Sequence, residues 1–369
     1  MQHNRRDEKR SAGTLQQKRV QLPWPKDRNL RILSIDGGGI KGIFPATILA
    51  RLEDRFLSGE PIGDYFDYIC GTSTGGIIAL GLGKGLRAKD LLDLYMTKGE
   101  RIFPQNFKTL RKLAALAIAT YSSKNLRQVL DESLGETKFG VSKNRLCIPS
   151  FEGKYGEVLI RKTNHHPDYK MDHLVSMAQI GMETSAAPMF LRTFSDEQYH
   201  FVDGGIWANN PIMIGLVDAL ACYNVNRDSI RILSIGCGEK PYKVSWLQRH
   251  LNGAFFWKDI IFAAMNLQSQ NAIGQAGLMI GRQNIVRLDA SEVHAKIGMD
   301  DVKKAKKLLP KHADEILKDK AAAIHDMFLK EKIKPYEKFN TQYFHKKDYH
   351  ITRCVDRGSI FYPPLYPRS

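Results

Sequence analysis

The chain has 369 residues, enough to bury a full core as one large domain or two smaller ones, and its 43% apolar and 25% charged residues are ordinary for a globular protein. No stretch approaches the roughly 18 uncharged apolar residues of a membrane span, and the polar opening residues carry no apolar core of a secretory signal. The net charge of +16 fits a solvated basic surface or contact with an anionic membrane, whereas no zinc-finger, basic-zipper or RNA-recognition motif points to a specific nucleic acid.

Residues 1–28 hold eight Lys/Arg against three Asp/Glu and read as a basic flexible tail. Five scattered cysteines (Cys70, Cys147, Cys222, Cys237, Cys354) show neither metal-ligand spacing nor a disulfide framework, as expected of a cytoplasmic protein. "LRILSI" (Leu30 to Ile35) has the length and β-branching of a buried strand. Ile40 to Phe56 predicts a helix: Phe44, Ile48, Leu52 and Phe56 recur every four residues, and Pro45 falls near the first turn. "YFDYIC" predicts a second strand, followed by "GTSTGG" and an apolar helix, a rhythm of parallel strands joined by crossover helices.

Further on, Phe103 to Ala117 and Gly253 to Asn266 are apolar helix candidates. They suit the core, a dimer contact or a lipid-facing lid, which keeps a homo-oligomer and peripheral membrane contact open. "NNPIMIGLVDALACY" marks a helix start at Pro211. "IRILSIGCG" (Ile230 to Gly238) nearly repeats "LRILSIDGG" (Leu30 to Gly38), which places both in one sheet. A lysine-rich helical stretch from Asp300 to Lys334 is interrupted, on this reading, by Pro310.

The chemistry concentrates in two glycine loops and one later acid. Gly71 to Gly75, "GTSTG", follows a strand and precedes a helix, the setting in which a sharp turn lifts a serine oxygen above the sheet. Ser73 is therefore the candidate nucleophile; the plainer reading is a helix start capped by Ser73. Attack on an ester builds charge on the carbonyl oxygen, and the amides of Gly37, Gly38 and Gly39, unshielded by side chains, could receive it with Lys41 adding positive charge. Asp203, in "FVDGGIWANNP", is the acid best placed to contact Ser73; His200 is the histidine alternative, although its strand-like surroundings suit a packing residue.

These blocks resemble the patatin-like phospholipases: "DGGGIKG" (Asp36 to Gly42), "GTSTG" with Gly71 and Gly75, "TSAAPMF" (Thr184 to Phe190) and "DGG" with Gly204 and Gly205. The resemblance covers roughly residues 30–240. It implies an α/β sandwich with a mostly parallel central sheet flanked by helices, related to the α/β-hydrolase architecture. It also implies a Ser73–Asp203 dyad, an oxyanion hole at Gly37, Gly38 and Gly39 with Lys41 beside it, a phospholipid substrate, and neither metal nor other cofactor. A catalytic domain over 29–369 follows, with its core at 30–240 and a helical extension at 241–369. Within the family the chain resembles bacterial anti-phage phospholipase effectors activated by a cyclic dinucleotide, acting from the cytoplasm on the inner membrane face; a constitutive acyl hydrolase is the alternative.

Two other readings compete. Gly37, Gly39 and Gly42 also satisfy the G-x-G-x-x-G dinucleotide fingerprint, with Glu53 or Asp54 as the ribose acid. A basic membrane- or nucleic-acid-binding scaffold with a decayed site is the non-enzymatic one.

Overall fold

The computed structural model describes residues 19–104, 121–188, 190, 191, 193–195, 199–238, 260–291, 294 and 296–340. In chain order its strands are β1 (Leu22–Pro23), β2 (Leu30–Ile35), β3 (Tyr68–Gly71), β4 (Arg145–Glu152), β5 (Glu157–Lys162), β6 (Phe194–Ser195), β7 (His200–Asp203), β8 (Tyr223–Asn224), β9 (Ile230–Ile235) and β10 (Ile285–Leu288). The helices are α1 (Ile43–Phe56), α2 (Thr74–Lys84), α3 (Ala88–Ile102), α4 (Ser123–Leu134), α5 (Met177–Thr184), α6 (Gly205–Ala208), α7 (Ile212–Cys222), α8 (Ile260–Ile280) and α9 (Val302–Phe328).

The main sheet runs β10-β9-β2-β3-β4-β7-β6, with β5 on the far edge of β4. From β10 to β4 every pairing is parallel, while β5, β6 and β7 pair antiparallel. Parallel strands buried on both faces read as near-continuous apolar runs, and all six residues of β2 are buried, Arg31 and Ser34 among them. Leu33 and Ile35 join a core with α1, α2, α3, α4, α5 and α9, whereas Leu30 and Ile32 join a second core with α7 and α8. The two repeated hexapeptides are parallel neighbours in register, Leu30 opposite Ile230 through Ile35 opposite Ile235.

Two expectations change. Residues 19–28 are docked rather than mobile: Trp24 is buried, Leu22 and Pro23 pair with Tyr223 and Asn224, and Arg28 donates to the buried Asp67 carboxylate at 2.9 Å. Residues 1–18 lie outside the described residues. Pro310 does not interrupt α9, because buried Val302, Ala305, Leu309, Ala313, Leu317, Ala321, Ile324 and Phe328 hold one stripe on both sides of it. The apolar stripe predicted from Phe103 lies outside the described residues beyond Pro104, as does the Gly253 helix before Ile260.

Candidate active site

Strand β3 stops at Gly71 and α2 starts at Thr74, so the chain reverses within two residues. Ser73 carries the strain of that reversal, with φ 55° and ψ −120°, a conformation that a non-glycine residue keeps only when its surroundings enforce it. Enforcement comes from contact. A side chain on Gly71 would sit 2.1 Å from the Gly75 carbonyl oxygen, and one on Gly75 would sit 2.2 Å from that of Ile35. The Ser73 amide donates to Thr184 Oγ1 at 3.0 Å, and the Thr184 hydroxyl donates to the Pro149 carbonyl at 2.6 Å, which ties the turn to β4. Ser73 stands at the N-cap position of α2, as the plainer reading has it, but its side chain makes no capping bond.

Ser73 instead lies beside the Asp203 carboxylate. The pairing register explains how residues 130 positions apart meet. Strand β3 pairs with residues 145–147 of β4 and β7 with residues 150–152, while β5 occupies β4's other edge. The two strands therefore lie end to end along one edge of β4, running toward each other, with Ser73 just past one end and Asp203 at the other. Asp203 Oδ1 also accepts the Gly205 amide at 2.7 Å. Burial pushes its pKa up to about 6, against the pull of the Ser73 and Gly205 hydrogen bonds.

Of the expected oxyanion donors, two are engaged elsewhere. The Gly37 amide donates to the Asn209 carbonyl at 3.1 Å, and the Lys41 ammonium donates to the Gly238 carbonyl at 2.7 Å, in the turn after β9. These contacts correct the sequence expectation: tertiary packing, invisible in the motif, claims both groups. The amides of Gly38 and Gly39 have no acceptor among the described residues. Gly39 has φ +58°, and a side chain there would meet the Met299 carbonyl at 2.5 Å. Gly42 passes against Thr74 Oγ1 and Gly204 against the Pro149 carbonyl, close approaches that hold both loops on this end of the sheet.

Gly39 and Ser73 open onto a narrow cleft of about 40 Å³ walled by Ile77, Tyr95, Leu126 and Phe190. An apolar slot ending at a hydroxyl suits an acyl chain whose carbonyl stops at Ser73.

Sequence reasoning missed Arg287. From β10 it grips the buried Asp36 carboxylate with both nitrogens, at 3.0 and 2.6 Å, and reaches Asp289 Oδ2 at 2.7 Å. Asp289 in turn accepts the Gly238 amide at 2.8 Å, so one arginine joins the ends of β2 and β9. Burial raises the Asp36 pKa to about 6, with Arg287 opposing. No local signal marks an arginine 251 positions away. Thr184 was visible as part of "TSAAPMF", but its link to the Ser73 amide was not.

His200 is corrected too. It is exposed, with Ser195 Oγ 2.9 Å from its Nδ1, at the opposite end of β7 from Asp203, so it is neither a packing residue nor a partner of Ser73. The dinucleotide reading loses its ribose acid: Glu53 is buried and accepts the amides of Ile62 (2.9 Å) and Ala88 (2.8 Å), and Asp54 is exposed on α1.

The family described as patatin-like phospholipase matches residues 33–216, which contain both loops and Asp203. The chain belongs to the patatin-like phospholipase family. It is 36% identical over 228 residues to a cGAMP-activated phospholipase of Escherichia coli, covering 58% of this chain and 64% of that protein. It is 35% identical over 206 residues to a protein of the same description from Pseudomonas aeruginosa, covering 56% and 61%. Similarity to patatin-like protein 2 of Arabidopsis thaliana is 35% over 209 residues, covering 50% and 51%. The matches thus span less than two thirds of these relatives.

Proposed function

We propose that this chain is a lipid acyl hydrolase of the phospholipase A type, cleaving fatty-acyl esters of membrane phospholipids through Ser73 and Asp203. The observation that carries this reading is a strained serine that opens onto an apolar cleft and has a buried carboxylate beside it. Asp203 takes the Ser73 proton as the oxygen attacks the ester carbonyl, and the Gly38 and Gly39 amides receive the oxyanion. The lysolipid leaves with that proton, and water then releases the fatty acid from Ser73. A carboxylate with a pKa near 6 is a competent base at neutral pH yet still mostly ionised there.

Access to bilayer lipid fits a protein that rests on the surface, since no helix among the described residues is long and apolar enough to cross a membrane. Exposed Lys303, Lys304, Lys307, Lys311, Lys318 and Lys320 on α9 suit anionic headgroups. The two bacterial relatives are described as cGAMP-activated, which supports control by a cyclic dinucleotide and an anti-phage effector role. We read residues 29–369 as one catalytic unit because β10 and α9 complete the sheet and core begun by β2 and α1.

The test is release of fatty acid from phospholipid vesicles by wild type and Ser73→Ala, each with and without a panel of cyclic dinucleotides. Release by wild type that rises with one dinucleotide and vanishes in Ser73→Ala is expected. Release that persists in Ser73→Ala overturns the mechanism, and equal release with and without every dinucleotide overturns the control.

A further inference from the structure

Asn209 stands between the two groups of the site without a role in the first half-reaction. It is 5% exposed, and its main-chain carbonyl holds the Gly37 amide. Its side-chain oxygen Oδ1 is buried and has no hydrogen-bond partner among the described residues. The missing side chains of two glycines locate that oxygen. The point a Gly37 Cβ would occupy is 2.7 Å from Asn209 Oδ1 and 3.3 Å from Ser73 Cβ. The corresponding point at Gly205 is 3.4 Å from Asn209 Oδ1 and 3.0 Å from Asp203 Oδ1. An orphaned acceptor thus lies beside the two glycines that flank the serine and the carboxylate. Buried acceptors are nearly always satisfied, by protein or by water, so this one calls for a ligand.

The second half-reaction supplies one. Water attacking an acyl group on Ser73 gives one proton to Asp203, and its other hydrogen must point somewhere in a site walled by apolar side chains. We propose that Asn209 Oδ1 accepts that second hydrogen and so positions the deacylating water. The water oxygen bonds to the acyl carbon while one proton passes to the Asp203 carboxylate. The bond from that carbon to Ser73 Oγ then breaks, and Asp203 returns its proton to Oγ. The hydrogen held by Asn209 departs in the carboxylic acid. Acylation makes no use of this contact, because the attacking oxygen then belongs to Ser73 and carries only the hydrogen given to Asp203.

This rests on Ser73 being the nucleophile, and the experiment separates the two. Turnover of a p-nitrophenyl acyl ester is measured together with the fraction of Ser73 acylated at steady state, read by intact-protein mass spectrometry. Asn209→Ala is expected to turn over at least about 10-fold more slowly than wild type, with most molecules carrying an acyl group on Ser73. Hydroxylamine, a stronger nucleophile in no need of that acceptor, is expected to restore turnover. Unchanged turnover, or turnover slowed with Ser73 free, overturns the role of Asn209, since a merely structural defect slows both halves. If Asn209→Ala does not fold, Asn209→Leu, close in size and lacking an acceptor, is read by the same criteria. A wild type that never acylates Ser73 while hydrolysing the ester overturns the reading of the site itself.

Discussion

Asp203 and Asp218 are both removed from water, and the molecule treats them in opposite ways. Among the described residues the Asp203 carboxylate is drawn down only by Ser73 and the Gly205 amide, so burial dominates and lifts its pKa to about 6. Asp218, on α7 in the second core, also suffers burial, but the Lys162 ammonium at 2.8 Å and His165 Nε2 at 2.7 Å outweigh it and hold the carboxyl well below its ordinary range. Tyr169 donates to it as well, and Tyr68 does so at 3.2 Å. Burial lowers the His165 pKa to about 4, so the ring donates as a neutral group. Cys222 lies within ligand distance of both His165 and Asp218, a set that could hold a metal, yet Asp218's oxygens are already taken by these donors. Of these two carboxylates, the one with few partners stands at the candidate site and the one with several is held as part of the core.

The sharpest break of this comparison is a pair of asparagine substitutions. Asp203→Asn should lower ester turnover by about 10²–10⁴-fold with the fold intact, whereas Asp218→Asn should leave turnover per folded molecule near wild type. Comparable losses of turnover in both would erase the distinction. Stability should order them the other way. Asp218→Asn leaves the Lys162 ammonium buried and under-compensated, which should cost about 3–5 kcal/mol in denaturant unfolding. Asp203→Asn removes a carboxylate that burial disfavours and should leave stability at neutral pH unchanged or higher, by up to about 3 kcal/mol.

The pH dependence sharpens the same contrast. A protonated Asp203 cannot accept the serine proton, so turnover should rise with pH through about 6. For stability the signs are opposite. Asp203 is protonated more readily folded than unfolded, so its contribution declines as pH rises from about 4 through about 6. Asp218's contribution is present above its unfolded value of 3.8 and is lost only as pH falls through its lower folded one. Comparing unfolding of wild type and Asp203→Asn from pH 4 to 7 checks this, and parallel curves would refute it. The smallest effect concerns the cleft wall: Phe190→Ala should change the preference between long- and short-chain esters by about 10-fold or less, read as a ratio of kcat/KM values.

Much of this was legible in the chain. Local backbone demands write themselves into sequence: Gly71 and Gly75 mark a turn with no room for Cβ, and the two six-residue repeats announce paired buried strands. Amphipathic spacing predicted α1 correctly, whereas Pro310 was misread as a break, because packing on both sides of it keeps the helix continuous. Other features had no local trace. Arg287 clamps Asp36 across 251 positions, Lys41 turns to Gly238, and His200 lies at the exposed end of its strand.

By itself, the sequence determined which residues could do the chemistry, since a tight strand-to-helix turn, bare amides and a carboxylate before a glycine pair are short-range properties of covalent geometry. Tertiary structure alone decided which of them meet and which are diverted. Two strands running toward each other on one edge of β4 bring Ser73 to Asp203, and main-chain carbonyls of Asn209 and Gly238 occupy Gly37 and Lys41, while Asn209 Oδ1 has no partner among the described residues. Such choices depend on pairing register and on the charges that burial gathers, and neither is encoded within the reach of a motif.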